Sequence, residues 1–227
     1  MLQKITLCCF FMFSLYSWGQ ITEFKAPNYE VIGKAIQDKS SNVYYPALLR
    51  QFKSNTTALT PRQYEYLYYG YALQDTYNPD AIFSKETELK AYASKIPDRA
   101  DVPQIKALLQ EALDEFPFDF THLLFLSYLY DFTGEEEKSA LISNHVESLA
   151  KVINRSGNGL ACETAFHVIA ASHEAFMLDL FSLASINQRV HGTCDFFELD
   201  SELYTIAGLY FDVSRLQQAG HRNTTHK

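Results

Sequence analysis

The chain has 227 residues, 47% of them hydrophobic, with 15 tyrosines, 17 phenylalanines and a net charge of −8. That length can bury one sizeable core, and an acidic balance with no basic stripe argues against nucleic-acid binding, which rests on clustered Lys and Arg. After the first residues, no segment approaches the roughly 18 uninterrupted apolar residues of a membrane-spanning helix.

Residues 1–19 read as a signal peptide. Lys4 precedes an apolar run from Ile5 to Leu15, and the small residues Ser17 and Gly19 stand where cleavage before Gln20 requires them. Export to the periplasm or beyond follows as an expectation. Cys8 and Cys9 lie inside the apolar run rather than after it, which argues against lipid attachment. The other two cysteines, Cys162 and Cys194, could pair in an oxidising compartment or remain as buried thiols; both readings stay open.

Residues 27–38 form a short amphipathic helix, with Tyr29, Ile32 and Ile36 on one face. A second helix over residues 47–53 follows Tyr44-Tyr45-Pro46. The third begins with a complete start signal: Thr60 as N-cap, Pro61 at the first helical position and Gln63 three residues after the cap. It runs to about Asp75 and carries Tyr64, Leu67, Tyr68 and Tyr71 on one stripe, widened by Tyr66, Tyr69 and Leu73. A helix apolar on so many sides is normally surrounded by partners. Tyr64, Tyr68, Tyr69 and Tyr71 therefore read first as core and second as a binding surface for a peptide or glycan. A shorter, more polar helix is predicted over residues 85–95.

From Val102 onward the pattern is that of tetratricopeptide-like helix pairs. Ala112, Pro117, Leu126, Ser127, Tyr130, Gly134 and Ser139 fall in that register. Small residues there let paired helices approach, while a large one fills the gap. Helices are expected over residues 103–116, 120–132 and 135–153, the last two turning at Thr133-Gly134.

Ser156-Gly157-Asn158-Gly159 marks a boundary. Beyond it, residues 165–170, 194–199 and 208–213 read as strands, with a helix over residues 173–184. The prediction is an α+β, predominantly helical chain. It comprises a helical array (residues 20–155), a small part with about three antiparallel strands and one helix (residues 160–218), and a polar, frayed tail (residues 219–227).

Several segments together carry a family resemblance. They are Tyr44-Tyr45-Pro46, Leu59-Thr60, Leu67-Tyr68-Tyr69-Gly70-Tyr71, Thr164-Ala165-Phe166, His173-Glu174, Cys194-Asp195 and Leu209-Tyr210-Phe211-Asp212. In that order they resemble the "domain of unknown function 4919" family, secreted proteins mostly of Bacteroidota. The resemblance implies a Gram-negative envelope setting and brings no assigned chemistry.

The weak catalytic candidates are His167, His173, Glu174 and Asp195, with His191 and Cys194 nearby in the chain. Imidazole, carboxylate and thiolate suit zinc, but there is no His-Glu-X-X-His and no Cys-X-X-Cys, so no metal site and no cofactor are expected. Nor is there a Gly-X-Ser-X-Gly elbow or a phosphate loop. A non-catalytic interaction module of the envelope, with a protein, peptide or glycan partner, is the first expectation. A metal-dependent or His-centred hydrolase working from the C-terminal part is the second.

Overall fold

The computed structural model describes residues 24–93 and 96–225; the signal-peptide reading lies outside them. The described chain is α+β and mostly helical. Seven helices come first: α1 (Tyr29–Gln37), α2 (Tyr45–Ser54), α3 (Pro61–Tyr71), α4 (Glu86–Ala93), α5 (Val102–Glu115), α6 (Phe120–Phe132) and α7 (Glu136–Ser156). Then come a 3₁₀ turn (Cys162–Thr164), β1 (Phe166–His167), α8 (Ser172–Leu180), β2 (Ser185–His191), β3 (Cys194–Leu199), β4 (Gly208–Asp212) and α9 (Ser214–Thr225).

The helix starts follow their local chemistry. At α3 the Thr60 hydroxyl accepts from the Gln63 amide (3.4 Å), and the Gln63 side-chain oxygen accepts from the Thr60 amide (2.9 Å). Asn28 caps α1 through the Val31 amide, and Asp119 caps α6 through the His122 amide. Helix α3 ends at Tyr71, earlier than the sequence suggested. Tighter turns take over there, with Leu73 N–H donating to Gly70 O and Gln74 N–H to Tyr71 O. Gly70 lets α1 and α2 approach, because a Cβ there would stand 3.2 Å from Tyr45 and 3.3 Å from Ile36.

The α6–α7 pair turns where the repeat-like register placed it. Gly134 has φ +77°, and Glu135 N–H returns to Tyr130 O at 2.8 Å. The Ser127 hydroxyl meets those of Ser139 (3.0 Å) and Ser143 (2.8 Å), so small polar residues bring the two helices together.

The sheet is larger than expected and mixed. Its order is β1-β4-β3-β2, with β1 parallel to β4 and the other pairs antiparallel. β1 is only two residues long because the backbone beyond it is taken by tyrosines. Ile169 N–H donates to the Tyr68 hydroxyl (3.4 Å), and Ile169 O accepts from the Tyr77 hydroxyl (2.8 Å). β2 lies where the sequence reading placed no strand; all seven of its residues are exposed, so no buried alternation announces it. Its local signal is the two-residue Gly192-Thr193 connection to β3, with Gly192 at φ +64°.

Helix α8 stops at Leu180 rather than Ala184. Ser182 adopts φ +57°, its amide reaches Asp179 O, and the Leu183 amide reaches Leu178 O, a Schellman stop. Residues from Ala219 on are also a correction: instead of a frayed tail, helix α9 continues to Thr225, and Ala219 is buried. Buried residues from α1 to α9 form one hydrophobic cluster that includes Phe166, Phe197, Leu209 and Phe211 of the sheet. Helices and sheet share a core.

Cys162 and Cys194 are joined by a disulfide, Cα to Cα 5.9 Å, across a sequence separation of 32. It ties the loop after α7 to the start of β3. Closing a loop of that length stabilises by about 2–4 kcal/mol, mainly by restricting the unfolded chain. The Cys162→Ser/Cys194→Ser variant is expected to lose that amount in urea denaturation, and the wild type in reductant should match it. An unchanged urea midpoint in both samples would contradict this.

Candidate functional site

Tyr64, Tyr68, Tyr69 and Tyr71 are 1%, 0%, 2% and 6% exposed, which removes them as a binding surface. Their hydroxyls are structural. His173 lies fully buried at the start of α8, its ring near those of Phe116 and Phe120. Its Nε2 is 3.0 Å from the Phe118 carbonyl oxygen, which can only accept, so Nε2 carries the proton. Nδ1 therefore accepts from the Tyr68 hydroxyl at 2.7 Å. One line of bonds runs from Ile169 N–H through Tyr68 and His173 to Phe118 O. It connects the strand segment, α3, α8 and the α5–α6 connection. Tyr64 makes a parallel link to His145 of α7, its hydroxyl 2.6 Å from Nδ1. Burial holds both histidines neutral, with pKa values lowered to about 4.

The sequence-derived catalytic candidates do not converge in a cleft. Both ring nitrogens of His173 are occupied inside the core. His167 faces Asp212, Nδ1 to Oδ1 3.5 Å, and Ser214 binds the same carboxylate through its amide and hydroxyl. His191 is exposed at the end of β2, beside the ring of Tyr210. Glu174 is 2% exposed, and its Oε1 has no hydrogen-bond partner. Desolvation, and then repulsion from Asp195, push its pKa up to about 8. Asp195 itself accepts from the Gln188 side chain at 3.1 Å. Among the described residues no group of three or more His, Cys, Asp or Glu could hold a metal ion.

The concave surface lies elsewhere. Helix α7 presents Ser143, Val146, Glu147, Ala150, Lys151 and Asn154, a stripe at helical spacing. Opposite stand Leu124 of α6, Phe176 and Leu180 of α8, and Phe181 just beyond it, enclosing a cavity of about 420 Å³. Stacking on Phe120, centroids 4.1 Å apart, holds Phe176 in place. A second cavity of about 510 Å³ continues past Asn154 and Phe181, which line both. It is walled by Phe24, Leu160, Phe166, Leu183, Ile206 and Leu209. The loop forming one side is locked: Asn158 Oδ1 accepts from the Leu160 amide and the Thr164 hydroxyl, and Gly159 O from the Tyr210 amide. Gly159, at φ +70°, cannot take a side chain without striking the ring of Phe166.

The two cavities adjoin at Asn154 and Phe181 and together make a mainly apolar trough, with polar lining from Ser143, Glu147, Lys151, Asn154 and Asn158. Leu124, Tyr128, Leu160 and Leu180 extend it outward, each between 44% and 55% exposed. Sequence reasoning missed it. Each element supplied a recognisable apolar face, but which faces lack a covering neighbour is not a local property.

Residues 30–222 match the family described as Domain of unknown function (DUF4919). The chain belongs to that family. No curated protein and no solved structure matches it. The DUF4919 match covers nearly all of α1 through most of α9, so the aromatic helix, the disulfide and all of the trough except Phe24 lie within one family unit. No described helix is long and apolar enough to cross a membrane.

Proposed function

We propose that this DUF4919 protein is a non-catalytic binding module of the bacterial envelope, whose trough between α7 and α8 receives apolar side chains of a protein partner. The continuous apolar trough is the observation that carries the reading. Contiguous exposed apolar surface marks interaction sites on soluble proteins. The lining between α7 and α8 is almost all carbon, which suits apolar side chains better than a glycan. The exposed rim runs past the cavities onto α6, where Tyr128 stacks between Phe125 and Phe132; that extent favours a protein over a small ligand. Export to an oxidising compartment is part of the proposal, supported by the leader-like residues 1–19 and by the disulfide.

The test uses a photo-crosslinking amino acid at Leu180, with Leu203 (73% exposed, outside the trough) as control. In cells, the Leu180 probe should give one defined protein adduct that Leu124→Asp abolishes and that the Leu203 probe does not give. No adduct, lipid adducts only, or an adduct indifferent to Leu124→Asp would refute the proposal.

A further inference from the structure

The open edge of the sheet is a second surface, independent of the trough. Among the described residues β2 pairs only with β3, and its seven residues are exposed along their whole length. Ile186 is 64% and Val190 73% exposed. The strand carries no proline or lysine, two of the devices that normally keep such edges apart; its pairing is irregular at Ile186, which has no partner on β3, and regular from Asn187 to His191. The Gln188 amide donates to its neighbour's side chain, Asn187 Oδ1, at 3.0 Å, a local bond for an amide without a strand beyond it. Across the other side, Glu198 of β3 accepts from Arg189 (2.9 Å) and Asn187 (3.3 Å), which holds the edge strand extended.

The order of residues along β2 is self-complementary. Read outward from Gln188, the neighbours are Asn187 and Arg189, then Ile186 and Val190, then Ser185 and His191. An antiparallel copy centred on Gln188 would set Asn187 opposite the copy's Arg189 and bring Val190 against the copy's Ile186 at the bulge. No like charges meet, and the two exposed apolar residues cover one another. Moving the centre to Arg189 would instead oppose two guanidinium groups, and Val190 would meet a glutamine. A two-fold axis makes such a patch isologous, the ordinary geometry of a homodimer.

We propose that β2 is a homodimerisation edge, and that a second copy adds antiparallel about Gln188 to make a continuous sheet of eight strands, twice the four of one chain. The occupant is another copy of this chain, because its own sequence supplies the register.

Sedimentation equilibrium of the purified protein should show a monomer–dimer equilibrium. Val190→Lys and Ile186→Lys should each weaken it at least about tenfold while the thermal melt stays unchanged, since both side chains are exposed. Gln188→Cys, at the axis, should give a covalent dimer on mild oxidation, visible on a non-reducing gel; Leu160→Cys, away from the edge, should not. The native cysteines are bonded to each other and do not interfere. A monomer at all concentrations, a dimer indifferent to both lysine variants, or a dimer in which Gln188→Cys fails to cross-link would overturn the proposal. Saturable binding of an extended peptide by a strictly monomeric protein would likewise overturn it, by giving the edge to a different occupant.

Discussion

Tyr68→Ala and Tyr68→Phe are each expected to remove a large part of the protein's stability. The side chain is fully buried, with its ring beside Tyr69, Phe118 and His173. Truncation to alanine opens a cavity among side chains that cannot follow, a change that costs about 3–5 kcal/mol in well-packed cores. Phenylalanine keeps the ring and removes only the hydroxyl. The Ile169 amide and His173 Nδ1 then lose their partner together. Each orphaned buried group costs about 1–3 kcal/mol, so a total of roughly 2–6 kcal/mol is expected against a domain stability of about 5–15. Urea denaturation reads this as a fall in midpoint at unchanged slope. The exposed Tyr128 is the control, and Tyr128→Phe should stay within about 0.5 kcal/mol. If Tyr68→Phe behaved like that control, the hydrogen-bonded line through α3 and α8 would not be holding the fold.

Stability should peak near pH 6.5 and fall on both sides, for two separate reasons. His145 and His173 have pKa values lowered to about 4 from an ordinary 6.5, so unfolding takes up protons between those values. The stability that rests on their neutral forms is complete above pH 6.5 and is lost as pH falls toward 4. Glu174 works the other way. Its pKa is raised from 4.5 to about 8, so the folded state holds a proton that the unfolded chain releases. Its contribution is complete below pH 4.5 and is lost as pH rises toward 8. Between pH 4.5 and 6.5 two histidines oppose one carboxyl, and stability still rises with pH. Above 6.5 the carboxyl acts alone, and stability falls.

Glu174→Gln isolates the alkaline arm, because the amide resembles the protonated acid and cannot ionise. At pH 8.5 it should exceed the wild type by on the order of 2–4 kcal/mol, and at pH 4.5 the two should coincide. Melting curves across pH 4–9 measure both arms. A wild-type profile flat from pH 6.5 to 8.5, or a glutamine variant that tracks the wild type throughout, would show that the Glu174 carboxyl is not held neutral.

The residues at issue show how far the sequence could be read. The capping box at Thr60, the α6–α7 turn at Gly134 and the strands β3 and β4 were legible because each is a local pattern: a spacing, a glycine, an alternation. Cys162 and Cys194 were legible as a possible pair, although only their placement shows the bond. His167, His173, Glu174 and Asp195 were suggestive as residue types and misleading as a cluster. His173 bonds inward to Tyr68 and Phe118, and His167 faces Asp212. The trough was not legible. Phe176 and Leu180 share a helix with the buried Met177 and Leu178, and no spacing distinguishes an apolar residue with a neighbour from one without.

By itself, then, the sequence determined the helix starts, the order of helices before sheet, and the family. These follow from interactions between residues a few positions apart, which act wherever the chain goes. Tertiary structure decided which tyrosine hydroxyl meets which histidine, why β1 ends after two residues, and which apolar faces remain open. Those outcomes depend on partners about 80 to 105 positions apart, such as Tyr64 with His145 and Tyr68 with His173. Burial is a relation between distant segments, and only the folded chain brings them together.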